Sequence, residues 1–153
     1  MSIESPPTWN QGCVGGCGRV FVYANMARAL PSPSELLVTL AEPTRLRILN
    51  CLAAAPLFVS DLQIILGQPQ PTVSRHLKVL RSIQLVDDTQ IAQFVLYRLA
   101  RLTGPRERLV KAVLDGIHHE ERFKAERHRA YDRARLHARR HRRDNRTTKA
   151  SVR

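Results

Sequence analysis

The sequence predicts a mainly α domain with one small β-hairpin, laid out as four helices, two strands and a fifth helix in the manner of a winged helix-turn-helix. Three observations carry this. Apolar residues recur at helical spacing in five stretches, Ser, Pro and Gly mark helix starts and stops between them, and two β-prone runs fall before the last stretch. At 153 residues the chain fits one domain with tails. We divide it into a flexible N-terminal extension (1–31), the winged helix-turn-helix domain (32–120) and a basic, Arg-rich C-terminal extension (121–153).

Residues 1–31 carry Pro6, Pro7, Gly12, Gly15, Gly16 and Gly18 and show no helical periodicity. Met26 lies just ahead of the first good helix, so translation can begin there. Ser32-Pro33-Ser34-Glu35 forms a capping box that starts the first helix, with Leu36, Leu37 and Leu40 on one side. Pro43 closes that helix and opens a second over 43–54, whose apolar face includes Leu46, Ile48, Leu49 and Leu52. Pro56 stops it. Ser60-Asp61-Leu62-Gln63 caps a third helix that ends at Gly67, and Pro71 opens a fourth in which Val73, Leu77 and Leu80 share a side. Helix, tight glycine turn and helix make a helix-turn-helix.

Leu85-Val86 and residues 94–99 then read as two strands separated by the polar segment 87–93, a wing. From Pro105 a fifth helix follows, with Leu109, Val110, Val113, Leu114 and Ile117 in one stripe. Beyond residue 120 the apolar stripe thins amid arginine, which reads as either a solvated helical extension or a segment without fixed structure.

The formal net charge of +12 favours a polyanionic partner. Its location is uneven. Residues 35–100 hold six Lys/Arg against five Asp/Glu, whereas from residue 101 onward 17 stand against 7, so the excess belongs to the C-terminal part. No run approaches the roughly 18–20 apolar residues of a membrane span, and no signal-like start is present. Three cysteines, Cys13, Cys17 and Cys51, fit a reducing compartment with free or metal-binding thiols, so a cytoplasmic chain without a membrane partner is expected.

The fourth helix carries the chemistry. With Val73, Leu77 and Leu80 inward, Gln70, Thr72, Ser74, Arg75, His76 and Lys78 are left for solvent or DNA. Gln can bond adenine through two atoms, Arg can do so to guanine, Thr can touch a thymine methyl, and Lys can hold phosphate.

In order and spacing, residues 40–49 (Leu-Ala-Glu-Pro-Thr-Arg-Leu-Arg-Ile-Leu), Asp61-Leu62, residues 70–81 (Gln-Pro-Thr-Val-Ser-Arg-His-Leu-Lys-Val-Leu-Arg), Leu85-Val86 and Tyr97-Arg98-Leu99 resemble the ArsR/SmtB family of transcriptional regulators. The resemblance covers about residues 35–100. It implies a winged-helix homodimer, built on the first and last helices, that represses a palindromic double-stranded DNA operator and leaves it when a metal, metalloid or other effector binds. Leu36, Leu37, Leu40, Leu109, Val110, Val113, Leu114 and Ile117 are the expected dimerisation residues, because an exposed apolar stripe is costly in a monomer; the alternative is that the stripe packs inside its own domain.

Three departures stand out. Glu42 replaces a capping Asp and Pro69 a capping Ser, each expected to weaken a helix start by ~1 kcal/mol. Asp87-Asp88-Thr89-Gln90-Ile91-Ala92-Gln93 replaces a basic wing tip, so the wing is expected to add little phosphate affinity. Arginines of the C-terminal extension, Arg133, Arg135, Arg139 and Arg140 among them, either compensate by releasing phosphate counterions or serve solubility.

The family's paired cysteines at the start of the third helix are missing, since the run here is Phe58-Val59-Ser60-Asp61-Leu62. Two other metal sets are candidates: Cys13, Cys17 and Cys51 as a three-thiolate site, and Asp115, His118 and His119, with His128 as an outlier, as an oxygen and nitrogen site. No cofactor is required. The chain lacks phosphate-loop, nucleophile and metal-hydrolase motifs, which argues against an enzyme. The competing readings are a basic RNA-binding or ribosome-associated protein and a regulator with no metal effector.

Overall fold

A computed structural model describes residues 31–150, with side chains described as far as residue 139. The N-terminal extension, Met26, Cys13 and Cys17 lie outside the described residues. The order of elements is α1 (Pro33–Leu40), α2 (Pro43–Ala54), β1 (Leu57–Phe58), α3 (Val59–Leu66), α4 (Gln70–Ser82), β2 (Val86–Ile91), β3 (Phe94–Leu99), α5 (Gly104–Ile117) and α6 (Glu121–Ala150).

The helix starts follow the local chemistry. Glu35 N–H donates to Ser32 Oγ at 3.2 Å and Ser32 N–H to Glu35 Oε2 at 2.8 Å, the expected capping box of α1. Arg45 then ties α1 to α2, its Nε donating to the Thr39 carbonyl at 2.7 Å. The start of α3 departs from expectation. It begins at Val59, and Asp61, not Ser60, is the capping side chain, accepting from Phe58 N–H at 3.2 Å. Gly67, in the left-handed region at φ 65°, ends α3 and allows the tight turn into α4.

One core joins the parts. Leu36 and Leu40 of α1, Ile48, Leu49 and Leu52 of α2, Leu62 and Ile65 of α3, and Val73, Leu77 and Leu80 of α4 are all buried in it. The hairpin is longer than the apolar runs indicated: residues 87–91, expected in the loop, belong to β2, and only Ala92-Gln93 form the turn. Backbone pairing from Val86↔Leu99 to Ile91↔Phe94 needs no apolar side chain, so a polar strand open to water escapes a hydrophobic pattern. The short β1, also unexpected, pairs antiparallel with β3 to give the order β1-β3-β2.

Two larger differences concern the expected interface and the expected tail. Leu36, Leu40, Val110 and Leu114 are core residues of their own chain, at most 7% exposed; Leu109, Val113 and Ile117 are half-buried against that core, and only Leu37 is exposed. A stripe of apolar side chains does not reveal whose core it enters. The segment from residue 121, expected to leave the domain as a solvated extension or without fixed structure, is a helix that packs along α2 and α3. Phe123, Glu126 and Ala130 are buried there. Arg47 of α2 meets Glu126 with Nη2–Oε1 at 2.6 Å, and also donates to the Leu66 carbonyl at 3.0 Å. Asn50 Nδ2 donates to the Phe123 carbonyl at 3.0 Å. One turn after another along α6, the contact continues to His137, which lies 2.9 Å from Asp61 and edge-on to the Phe58 ring at 5.0 Å.

Candidate nucleic-acid interface

Helix α4 presents two unlike faces. Val73, Leu77 and Leu80 are at most 1% exposed, so the helix is held by its inner side, and its other side faces solvent. Pro69 supplies no side-chain cap, as expected, but its carbonyl accepts from Thr72 and Val73 N–H at 3.0 and 3.1 Å. On the outward side Gln70, Ser74, Arg75 and Lys78 are exposed and Thr72 is half-buried. None of the ion pairs among the described residues uses Arg75 or Lys78, so both cations remain available.

His76 is set apart from that group. It is half-buried and its Nδ1 lies 3.3 Å from Glu42 Oε2, which draws the ring toward the start of α2. The sequence placed His76 with the DNA-facing residues because Glu42, 34 positions earlier, gives no local signal. Glu42 also overturns an expectation of its own: it caps α2, accepting from Arg45 N–H at 2.7 Å. Partial burial pushes its carboxyl upward, but the backbone N–H groups of Arg45 and Thr44, with His76, outweigh this and hold it below the ordinary carboxylate value.

The acidic wing is less acidic in effect than in composition. Asp88 Oδ1 lies 2.7 Å from Arg81 Nε in an ion pair that links the wing to the last turn of α4, and Asp87 lies 3.5 Å from Arg98 across the hairpin. Each carboxylate is matched by a cation. The tip beyond them is uncharged, with Ile91 and Phe94 opposite one another and about half exposed. Sequence reasoning missed Arg81; its spacing of seven residues from Asp88 crosses a helix end and a turn, which no periodic pattern covers.

Among the described residues the metal candidates do not converge; Cys13 and Cys17 lie outside them. Cys51 is fully buried, and burial, with Glu126 nearby, pushes its thiol up to about 12 against the opposing pull of Arg47 and Arg129. A thiol that resists ionisation is a poor soft-metal ligand. Asp115, His118 and His119 do not share one helix: α5 ends at Ile117 and residues 118–120 form a turn. His118 Nδ1 instead faces Arg127 Nη1 at 3.0 Å, and His128 sits 3.4 Å from Asp132. Among the described residues no three His, Cys, Asp or Glu side chains are grouped to hold a metal ion. Nor is any helix among them long and apolar enough to cross a membrane.

Residues 42–88 match the family described as "Bacterial regulatory protein, arsR family". That span runs from the Glu42 cap through α4 to Asp88 in the wing. The solved structure of the transcriptional repressor BigR from Xylella fastidiosa is 31% identical, with a TM-score of 0.50, over 57% of this chain and 85% of that one. The chain belongs to the arsR family. Within it, the HTH-type transcriptional repressor SmtB of Mycobacterium tuberculosis is 38% identical over 90 residues, 59% of this chain and 63% of SmtB. The biofilm growth-associated repressor of Agrobacterium fabrum is 40% identical over 78 residues, 51% of this chain and 65% of that protein. The chain thus spans less than two thirds of the length of these two curated relatives. The family match stops short of α5 and α6, so the helix that packs on the back of α2 lies outside what identifies this arsR-family member.

Proposed function

We propose that this chain is a sequence-specific, double-stranded-DNA-binding transcriptional repressor that sets α4 in the major groove and acts as a homodimer on a palindromic operator. The observation that carries the reading is the outward face of α4, where Gln70, Ser74, Arg75 and Lys78 stand exposed while the carboxylates of the neighbouring wing are matched by Arg81 and Arg98. Gln70 and Arg75 supply two-atom recognition of adenine and guanine, Thr72 and Ser74 adapt to either strand, and Lys78 holds phosphate. His76 serves the α2–α4 contact and not base reading. The names of the relatives, repressors in each case, support the direction of control.

Dimerisation draws on what the monomer leaves uncovered: Leu37 and Val38 of α1, 49% and 71% exposed, and the half-buried Leu109, Val113 and Ile117 of α5. Release by an effector belongs to the same proposal. A site of action in the cytoplasm, where DNA is, goes with it.

The test is selection of bound duplexes from a random DNA pool, followed by affinity measurement with Ser74→Ala and Arg75→Ala. A palindromic motif and a loss of about 1–3 kcal/mol for Arg75→Ala confined to one base position support the reading. Preference for structured RNA, or wild-type affinity in the double variant, refutes it.

A further inference from the structure

A cavity lies between the base of the wing and the start of α5. It holds about 290 Å³ and is lined by Gln84, Asp87, Arg101, Leu102, Thr103 and Arg106, with Ala100 at its edge. Small-molecule sites begin near roughly 300 Å³, so one small metabolite-sized compound fills it.

Its chemistry is polarised. Arg106 Nη2 donates to the Ile83 carbonyl at 2.6 Å, which fixes the guanidinium. Thr103 is the N-cap residue of α5, yet its side chain makes no capping bond and keeps its hydroxyl free of the helix. Arg101, exposed beside them, adds a second guanidinium. Asp87 is the acidic member of the lining, and Leu102 the bulky apolar one.

We propose that this cavity binds a small organic oxyanion, a carboxylate or phosphate ester that also carries a hydroxyl or amino group. The guanidinium groups of Arg101 and Arg106 match the paired oxygens of such an anion in charge-assisted bonds. Asp87 accepts the hydroxyl or ammonium hydrogen, and Leu102 covers the carbon skeleton. Gln84 follows α4, Asp87 lies in β2 and the remaining groups lead into α5, so a bound acid joins the reading helix, the wing and α5. Its effect on operator affinity rests on the function proposed above; binding itself does not.

Titration of the ¹⁵N-labelled full chain with L-lactate, glycerol 3-phosphate and inorganic phosphate, at ionic strength held constant with sodium chloride, reads binding without DNA. Saturable amide shifts at Gln84, Asp87, residues 101–104 and Arg106 are expected with at least one organic acid, weakened about tenfold by Arg101→Gln or Thr103→Val, given ~1.4 kcal/mol for one charge-assisted bond. Neither variant removes a bond that the fold uses, so their spectra stay dispersed even where Arg106→Gln unfolds. Silence with all three probes, shifts that grow linearly as they do with chloride, or binding indifferent to both variants overturns the proposal. So does Arg101→Gln lowering the salt slope of duplex binding while leaving the acid titration unchanged, since the cavity arginine would then serve the DNA backbone.

Discussion

Replacing Glu126 with Ala strips a partner from a buried cation. The carboxylate lies 2.6 Å from Arg47 Nη2, and the two side chains are 9% and 2% exposed. Arg47 keeps its bond to the Leu66 carbonyl, but Nε, which donates to Glu126 at 2.8 Å, is left bare. Breaking a buried pair from one side costs about 3–5 kcal/mol. The retained carbonyl bond, worth ~1 kcal/mol, places this case near the lower end. A loss of about 3 kcal/mol corresponds to a fall in Tm of at least ~6 °C for a body of this size. Urea unfolding followed by far-ultraviolet circular dichroism, at fixed protein concentration because a dimer adds mass-action stability, measures it. Truncation after residue 139 keeps the pair and leaves the midpoint unchanged, whereas truncation after residue 120 removes it and lowers the midpoint at least as far. If Glu126→Ala stays within about 1 kcal/mol of the parent, or the 1–120 chain is equally stable, α6 is not part of the folded body and the reasoning fails.

Further outcomes follow from the same geometry. Glu42→Ala removes the cap on Arg45 N–H and lowers stability by about 1 kcal/mol in denaturant titration at pH 7. Because the folded Glu42 carboxyl lies below its unfolded value, its contribution is complete above the unfolded value and fades as pH falls through the folded one, so parent and variant converge in strong acid. Cys51, buried with its thiol pushed up to about 12, stays unlabelled by iodoacetamide at pH 8 in a Cys13→Ser/Cys17→Ser background and reacts once urea unfolds the chain; rapid labelling of the native state would contradict its placement. Arg81→Ala frees Asp88 beside α4 and lowers duplex affinity without changing the preferred sequence, while Arg81→Ala/Asp88→Ala restores most of it in fluorescence anisotropy.

What the sequence made legible was whatever short-range chemistry decides. Ser32 and Glu35 announce α1, Gly67 announces the turn, and Val73, Leu77 and Leu80 fix which side of α4 faces out, all within a few residues of where they act. The misses depend on partners distant in the chain. Glu126 reads as one more charge on a solvated helix until Arg47, 79 positions earlier, is brought against it. His76 joins the outward set until Glu42 is seen beside it, and Asp87 and Asp88 read as repulsive until Arg98 and Arg81 are paired with them. The α5 stripe was recognised as apolar, yet apolarity alone does not divide Val110 and Leu114, in the core, from Leu109, Val113 and Ile117, left partly open.

The short turn at residues 118–120 carries an obligation that surface turns seldom have. Phe123, Glu126 and Ala130 reach α2 because α6 starts with one particular rotation after α5. Adding or deleting a single residue there turns the helix by about 100°, which takes Glu126 away from Arg47 and puts Ala125 or Arg127, respectively, in its place. Three exposed residues are thus bound to a fixed number, so the fold constrains chain length at this point as tightly as it constrains a buried side chain.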